Sequence, residues 1–236
     1  MKLLITGGCS FSECLSVKTQ TWPKHLATAM PEYTHVSTGL GSQGNGLISR
    51  KLIHAVQNNI NANDLLVGVI WSGPDRHDFY INSKKALEST EQWQINPTSV
   101  VPESPGSWII LNPWWDLNDS KIYYETFHDS IGQLVYTYEH ILRTQWFLEK
   151  HNIKYFMSTH TSEVFPQRRL NHPELLYLYN MIDHSKFLPV EGIYEWCRDF
   201  SGLEFPTKGD LHPSSEHHGL FTQEVIIPFL KEKNYI

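Results

Sequence analysis

The run Leu65-Leu66-Val67-Gly68-Val69-Ile70-Trp71 carries no polar side chain apart from the indole nitrogen at its end. A strand with one wetted face alternates apolar and polar positions, so an unbroken run of this kind reads as a central strand of a parallel sheet, buried on both faces. Parallel neighbours require long crossover connections, usually helices. The rest of the chain supplies both kinds of element. Leu3-Leu4-Ile5-Thr6 reads as a second buried strand, ended by Gly7-Gly8. Tyr33–Val36 and Lys154–Ser158 are further strands. Helical spacing or helix-start chemistry marks the stretch from Thr21-Trp22-Pro23 to Met30, then Leu47–Val56, Tyr123–His151, Pro173–Ile182, Gly192–Phe200 and Ser214–Lys233, the last bent at Pro228. This alternation predicts one α/β domain over residues 1–236, a three-layer α/β/α sandwich around a mostly parallel five-stranded sheet.

Residues 74–121 break the pattern. They hold Pro97, Pro102, Pro105 and Pro113 together with Trp93, Trp108, Trp114 and Trp115. A long aperiodic segment of this kind reads as an irregular insertion between the third and fourth strands, covering the carboxyl edge of the sheet. Its tryptophans could form a platform for a sugar or acyl chain; the core of a small lid is the favoured reading.

The totals narrow the partners. Nineteen Lys+Arg against 25 Asp+Glu give a net charge of -6, and the longest basic cluster is Arg168-Arg169, so a nucleic-acid partner is disfavoured. Cys9, Cys14 and Cys197 show no paired spacing and read as reduced thiols. No apolar run approaches the roughly 20 residues that cross a bilayer, and Met1–Ile5 is too short for a signal sequence. The expectation is a cytoplasmic protein without a membrane partner.

Three loops carry the chemistry. Gly7-Gly8-Cys9-Ser10-Phe11-Ser12 follows the first strand, where a parallel sheet collects its ligands, and the glycines permit a sharp turn there. Ser10 becomes a nucleophile only if a base takes its proton. Gly209-Asp210-Leu211-His212-Pro213-Ser214, before the last helix, offers His212 as that base and Asp210 to orient it. The third loop, Gly39-Leu40-Gly41-Ser42-Gln43-Gly44-Asn45, is glycine-rich.

Gly8-Cys9-Ser10-Phe11-Ser12 resembles the first block of the SGNH (GDSL-like) hydrolases, and Asp210-Leu211-His212-Pro213 their last. The resemblance implies the flavodoxin-like SGNH fold and acyl transfer through an acyl-serine, with no cofactor and no metal. The substrate would be an ester, small or carried on a glycan, acted on by an esterase, deacetylase or acyltransferase. It also implies an oxyanion hole built from the amides of Ser10 and Gly41, with Gly44 as the fallback. Two departures stand out. One residue, not two, separates Asp210 from His212, so a Ser–His dyad or a backbone carbonyl could replace the acid. The third block, normally Gly-x-Asn, reads Gly73-Pro74-Asp75, and an ionised aspartate cannot donate to an oxyanion. Asn45 is a possible substitute donor. These departures motivate a second reading, a catalytically silent module that binds a glycan or a protein. Sequences with Gly-Cys-Ser-Phe near the start resemble those of phages and bacteria, which admits a virion-associated role. A nucleotide-binding flavodoxin-like domain ranks last, because the glycine-rich loop lacks a Gly-Lys-Ser/Thr ending.

Plainer readings accompany each residue. Ser10 and Asp210 are ordinary turn residues, Cys9 a small packed one, and His212 an ordinary surface histidine. Ser72 and Arg76, after the third strand, suit an anionic or polar substrate group, or else Arg76 contacts Asp75 or Asp78. His217 and His218, with Asp210 and His212, would face different directions on a helix, which disfavours a metal.

Overall fold

The polar-free run becomes β3 (Asp64–Trp71), and its apolar side chains are almost completely excluded from solvent. The computed structural model describes residues 1–14, 20–82, 95–96, 107–166, 171–207 and 209–236; Trp93, Pro97, Pro102, Pro105 and Arg168-Arg169 lie outside them. Around β3 the sheet is parallel throughout, in the order β2 (Tyr33–Ser37), β1 (Lys2–Gly8), β3 and β7 (Lys154–Thr159). The fifth position, beside β7, is held by a single parallel bridge between Met157 and Phe187, where the Leu188 amide donates to the Met157 carbonyl at 2.8 Å.

Helices cover both faces. α1 (Trp22–Ala29) packs with the C-terminal helices on one side, and α2 (Asn45–Asn58) packs with the helix Ser130–Lys150 on the other. Gly68 gives the sheet room for this layering, since a Cβ there would lie 2.4 Å from the Phe156 ring and 3.0 Å from that of Trp22. Those two rings meet edge to face at 5.7 Å, the favoured arrangement for an aromatic pair.

The sequence-based boundaries need correction in three places. The helix expected over Tyr123–His151 is two helices, Asn118–Thr126 and Ser130–Lys150. Asp129 ends the first run and caps the second, its carboxylate accepting the Gly132 amide at 2.7 Å. The last helix is interrupted by a π-turn at Thr222–Ile226, immediately before Pro228, whose missing N–H leaves the ladder incomplete. The insertion is more regular than its composition suggests: β4 (His77–Ile81), β5 (Ile95–Asn96) and β6 (Ser107–Leu111) form an antiparallel sheet in the order β4-β6-β5.

Asp78 anchors that sheet to the main body. Its two carboxylate oxygens accept the Gly44 and Leu47 amides at the start of α2, each at 3.0 Å. The negative charge sits at the positive end of the helix dipole. Burial nevertheless pushes its pKa up to about 6, against the opposing pull of the two amides and of Arg76 and Lys51. Among the described residues no helix is long and apolar enough to cross a membrane.

Candidate active site

β1 delivers Ser10 to the carboxyl edge of the sheet, in a one-turn 3-10 helix over Ser10–Ser12. Gly8 makes the approach possible. Its φ of +147° is strained for any other residue, and a Cβ there would lie 2.3 Å from the Ser12 hydroxyl and 2.7 Å from the Ile70 carbonyl. Ser12 is buried and structural, its Oγ accepting the Trp22 indole N–H at 2.9 Å.

The chain returns to this point more than two hundred residues later. Ser10 Oγ and His212 Nε2 are 2.8 Å apart, and His212 Nδ1 is 2.6 Å from Asp210 Oδ1. A carboxylate can only accept, so Nδ1 carries the proton and the Nε2 lone pair faces the serine hydroxyl. The single-residue spacing between acid and base works because the same Asp210 oxygen also accepts the His212 backbone amide, at 2.9 Å. That turn folds the aspartate back under the imidazole. The backbone and side-chain N–H donors of His212 hold the Asp210 carboxyl below the usual carboxylate range. The pair is open to solvent, with side-chain exposures of 51% for His212 and 44% for Asp210.

The remaining expected residues are placed unequally. Gly41 lies in the loop beside Glu13. The fallback, Gly44, is excluded as an oxyanion donor because its amide is given to Asp78. Asn45 is excluded too: its Nδ2 donates to the Ser72 carbonyl at 3.0 Å and to Thr137 Oγ1 at 3.2 Å, while its Oδ1 accepts the Ser72 amide at 2.8 Å. It fastens α2 to the end of β3. Asp75, in the third block, is 3.0 Å from His128 Nε2, and its carbonyl accepts the Tyr124 hydroxyl. Arg76 forms an ion pair with neither Asp75 nor Asp78; it lies over the Trp114 ring at 5.3 Å. Ser72 Oγ is buried without a hydrogen-bond partner.

His217 and His218 diverge, as their adjacency requires. His217 reciprocates the Ser214 cap of the last helix, its Nδ1 accepting the Ser214 amide at 3.2 Å, and His218, also buried, has its pKa lowered to about 3. Among the described residues no group of His, Cys, Asp or Glu is arranged to hold a metal ion. Cys9 is completely buried, as a packed residue would be.

Two residues near the site were not singled out from the sequence. Gln43 ties the glycine-rich loop to β1, its Nε2 donating to the Gly8 carbonyl at 2.8 Å and to the Thr38 carbonyl at 3.2 Å. His160 directly follows β7, and its ring meets Phe11 at 5.4 Å; the Phe11 ring also packs on His212 at 5.1 Å. The rule that ligands gather at the carboxyl ends of parallel strands pointed to His160 as much as to Ser10. A cavity of about 610 Å³ lined by Val190, Trp196, Phe200, Val225 and Phe229 and another of about 770 Å³ lined by Phe165, Tyr179 and Phe187 include no member of the Ser10–His212–Asp210 group, so these hollows and the chemistry do not coincide.

No protein-family model matches the sequence, and no curated protein does. Solved structures share its fold. The crystal structure of TesA superposes with a TM-score of 0.53 over 98% of this chain and 99% of the other, at 12% identity. The X-ray crystal structure of protein YxiM from Bacillus subtilis does so with a TM-score of 0.54 over 99% of this chain, at 11% identity; the chain spans 57% of that protein. At such identities the likeness establishes the fold alone, a parallel sheet with helices on both sides.

Proposed function

We propose that the chain is an SGNH-type serine hydrolase that cleaves an ester, or passes its acyl group to an acceptor, through an acyl-serine at Ser10. One observation carries this reading: the unbroken relay of 2.6 Å from Asp210 to His212 and 2.8 Å from His212 to Ser10. Ser10 Oγ attacks the substrate carbonyl as its proton passes to His212 Nε2, and the carbonyl electron pair moves onto oxygen. The amides of Ser10 and Gly41 receive that oxyanion. Collapse breaks the bond to the alcohol, which leaves with the proton from Nε2. Water or an acceptor hydroxyl then repeats the sequence on the acyl-serine, while Asp210 stays ionised and holds Nδ1–H. The open placement of the pair suits an ester carried on a bulky group such as a glycan. A hole of two donors rather than three implies a slow enzyme, since each donor contributes about 100-fold or more in rate.

Labelling with a fluorophosphonate tests the reading. Covalent adduction of the wild type that disappears in Ser10→Ala and His212→Ala supports it. A folded wild type that resists labelling refutes it and leaves the binding module as the better account.

A further inference from the structure

Close to the relay lies a guanidinium with an unused hydrogen-bond donor. Arg76 is only 9% exposed and its Nη1 is buried with no hydrogen-bond partner. The carboxylates next to it in sequence are engaged elsewhere, Asp75 with His128 and Asp78 with the amides of Gly44 and Leu47. Asp78 lies within electrostatic range of the guanidinium but leaves Nη1 unbonded, and a buried donor in this condition costs free energy until an acceptor joins it. Asn112 stands across from Arg76 if the β4–β6 register is continued one pair beyond His77–Leu111, so the two side chains emerge on the same face of the ribbon. It is fully buried, and neither its amide nitrogen nor its amide oxygen has a partner.

His160 supplies a wall. It is 7% exposed, its Nδ1 is unpartnered, and its Cε1 would lie 3.1 Å from a Cβ at Gly73. Burial above all, and then the charges of Arg76 and His212, push its pKa down to about 3, so it stays neutral beside the guanidinium. Trp114, 59% exposed and stacked on Arg76, forms the solvent side. The Phe11 ring touches both His160 and His212, which sets this cluster one ring away from the base of the relay.

We propose that Arg76 and Asn112, walled by His160 and Trp114, form a subsite for a carboxylate, so that the ester cleaved at Ser10 carries a carboxylate a few atoms from the scissile carbonyl. The inference rests on the hydrolase reading. A guanidinium fork and an amide N–H match the planar, two-oxygen geometry of that group. Two esters of equal length separate the cases: p-nitrophenyl butyrate and mono-p-nitrophenyl succinate. The wild type favours the succinate in kcat/KM by ten-fold or more. In Arg76→Gln the ratio falls to near one, in Arg76→Lys it is intermediate, and in Asn112→Asp it inverts. A ratio does not depend on how much active protein survives. A wild-type ratio near one, or a ratio unchanged in Arg76→Gln, overturns the proposal. If neither ester is hydrolysed, the hydrolase reading fails on its own. The subsite is then judged by calorimetry on the wild type: binding of monomethyl succinate but not methyl butyrate sustains it, and no binding of either overturns it.

Discussion

Asp210 decides whether the compressed acid–base spacing is a working arrangement, and its two substitutions should behave differently. One oxygen, Oδ1, accepts both the His212 ring N–H at 2.6 Å and the His212 backbone N–H at 2.9 Å. In Asp210→Asn the backbone N–H keeps the amide oxygen, not the NH2 group, turned toward His212. The ring proton therefore stays on Nδ1, and the loss is limited to the charge. A hydrogen bond to a charged acceptor is stronger than a neutral one by about 1 kcal/mol, and water screens this half-exposed pair, so the expected fall in kcat is about five-fold. Asp210→Ala removes both bonds and frees the imidazole to rotate. Losing two charge-assisted bonds at the weak end of their range, about 1.5 kcal/mol each, corresponds to a fall of about 100-fold. The assay is steady-state hydrolysis of p-nitrophenyl acetate, normalised by fluorophosphonate titration of active sites. An alanine variant within two-fold of wild type refutes the orienting role. An asparagine variant as impaired as the alanine refutes the single-oxygen argument.

Other consequences follow from the same geometry. Gly8→Ala places a methyl group 2.3 Å from Ser12 Oγ at a φ of +147°, and should cost about 3 kcal/mol or more in urea unfolding; a loss under 1 kcal/mol contradicts the packing described. Asn45→Ala leaves the Ser72 amide unpaired and should cost about 3 kcal/mol of stability, while kcat, measured well below its melting point, falls less than ten-fold. A fall of 100-fold would instead mark Asn45 as an oxyanion donor. His140, His160 and His218 are each held down to about 3 by burial, so the unfolded chain takes up their protons first and stability is lost as pH falls below about 6.5. Between pH 7.5 and 5.5 each contributes a loss of about 1.4 kcal/mol. Asp78, raised to about 6, regains about 0.8 kcal/mol as it protonates, leaving a net loss of about 3 kcal/mol. Urea midpoints at the two pH values check this, and a flat profile contradicts it.

What the sequence revealed, and what it hid, divides along physical lines. β1, β3 and β7 were legible because strands buried on both faces need apolar side chains at every position, a pattern that does not depend on distant partners. Ser10 and His212 were legible as loop chemistry on the resemblance of their two blocks, and the fold brings them together. Asn45 was misread because its local setting, the end of a glycine-rich loop, suits a donor to substrate; only β3, delivering Ser72 beside it, shows where its amide goes. The antiparallel sheet around β4 and β6 was hidden for a similar reason. Among its described residues the buried apolar ones are Ile109–Leu111, and its attachment to the main body runs through the polar contact from Asp78 to α2 and the ring contact of His77 with Tyr136. Asn112 carries no sequence signal at all, since its place, one residue beyond the pairing of His77 with Leu111, exists only through that strand register.

Mixing the protein with excess p-nitrophenyl acetate, quenching in acid within the first turnover and mapping the acetyl group by peptide mass spectrometry addresses the central claim most directly. The relay predicts a burst of p-nitrophenol and acetylation confined to the peptide containing Ser10, with neither seen in His212→Ala. Acetylation at some other residue, or turnover that persists in Ser10→Ala, would contradict it.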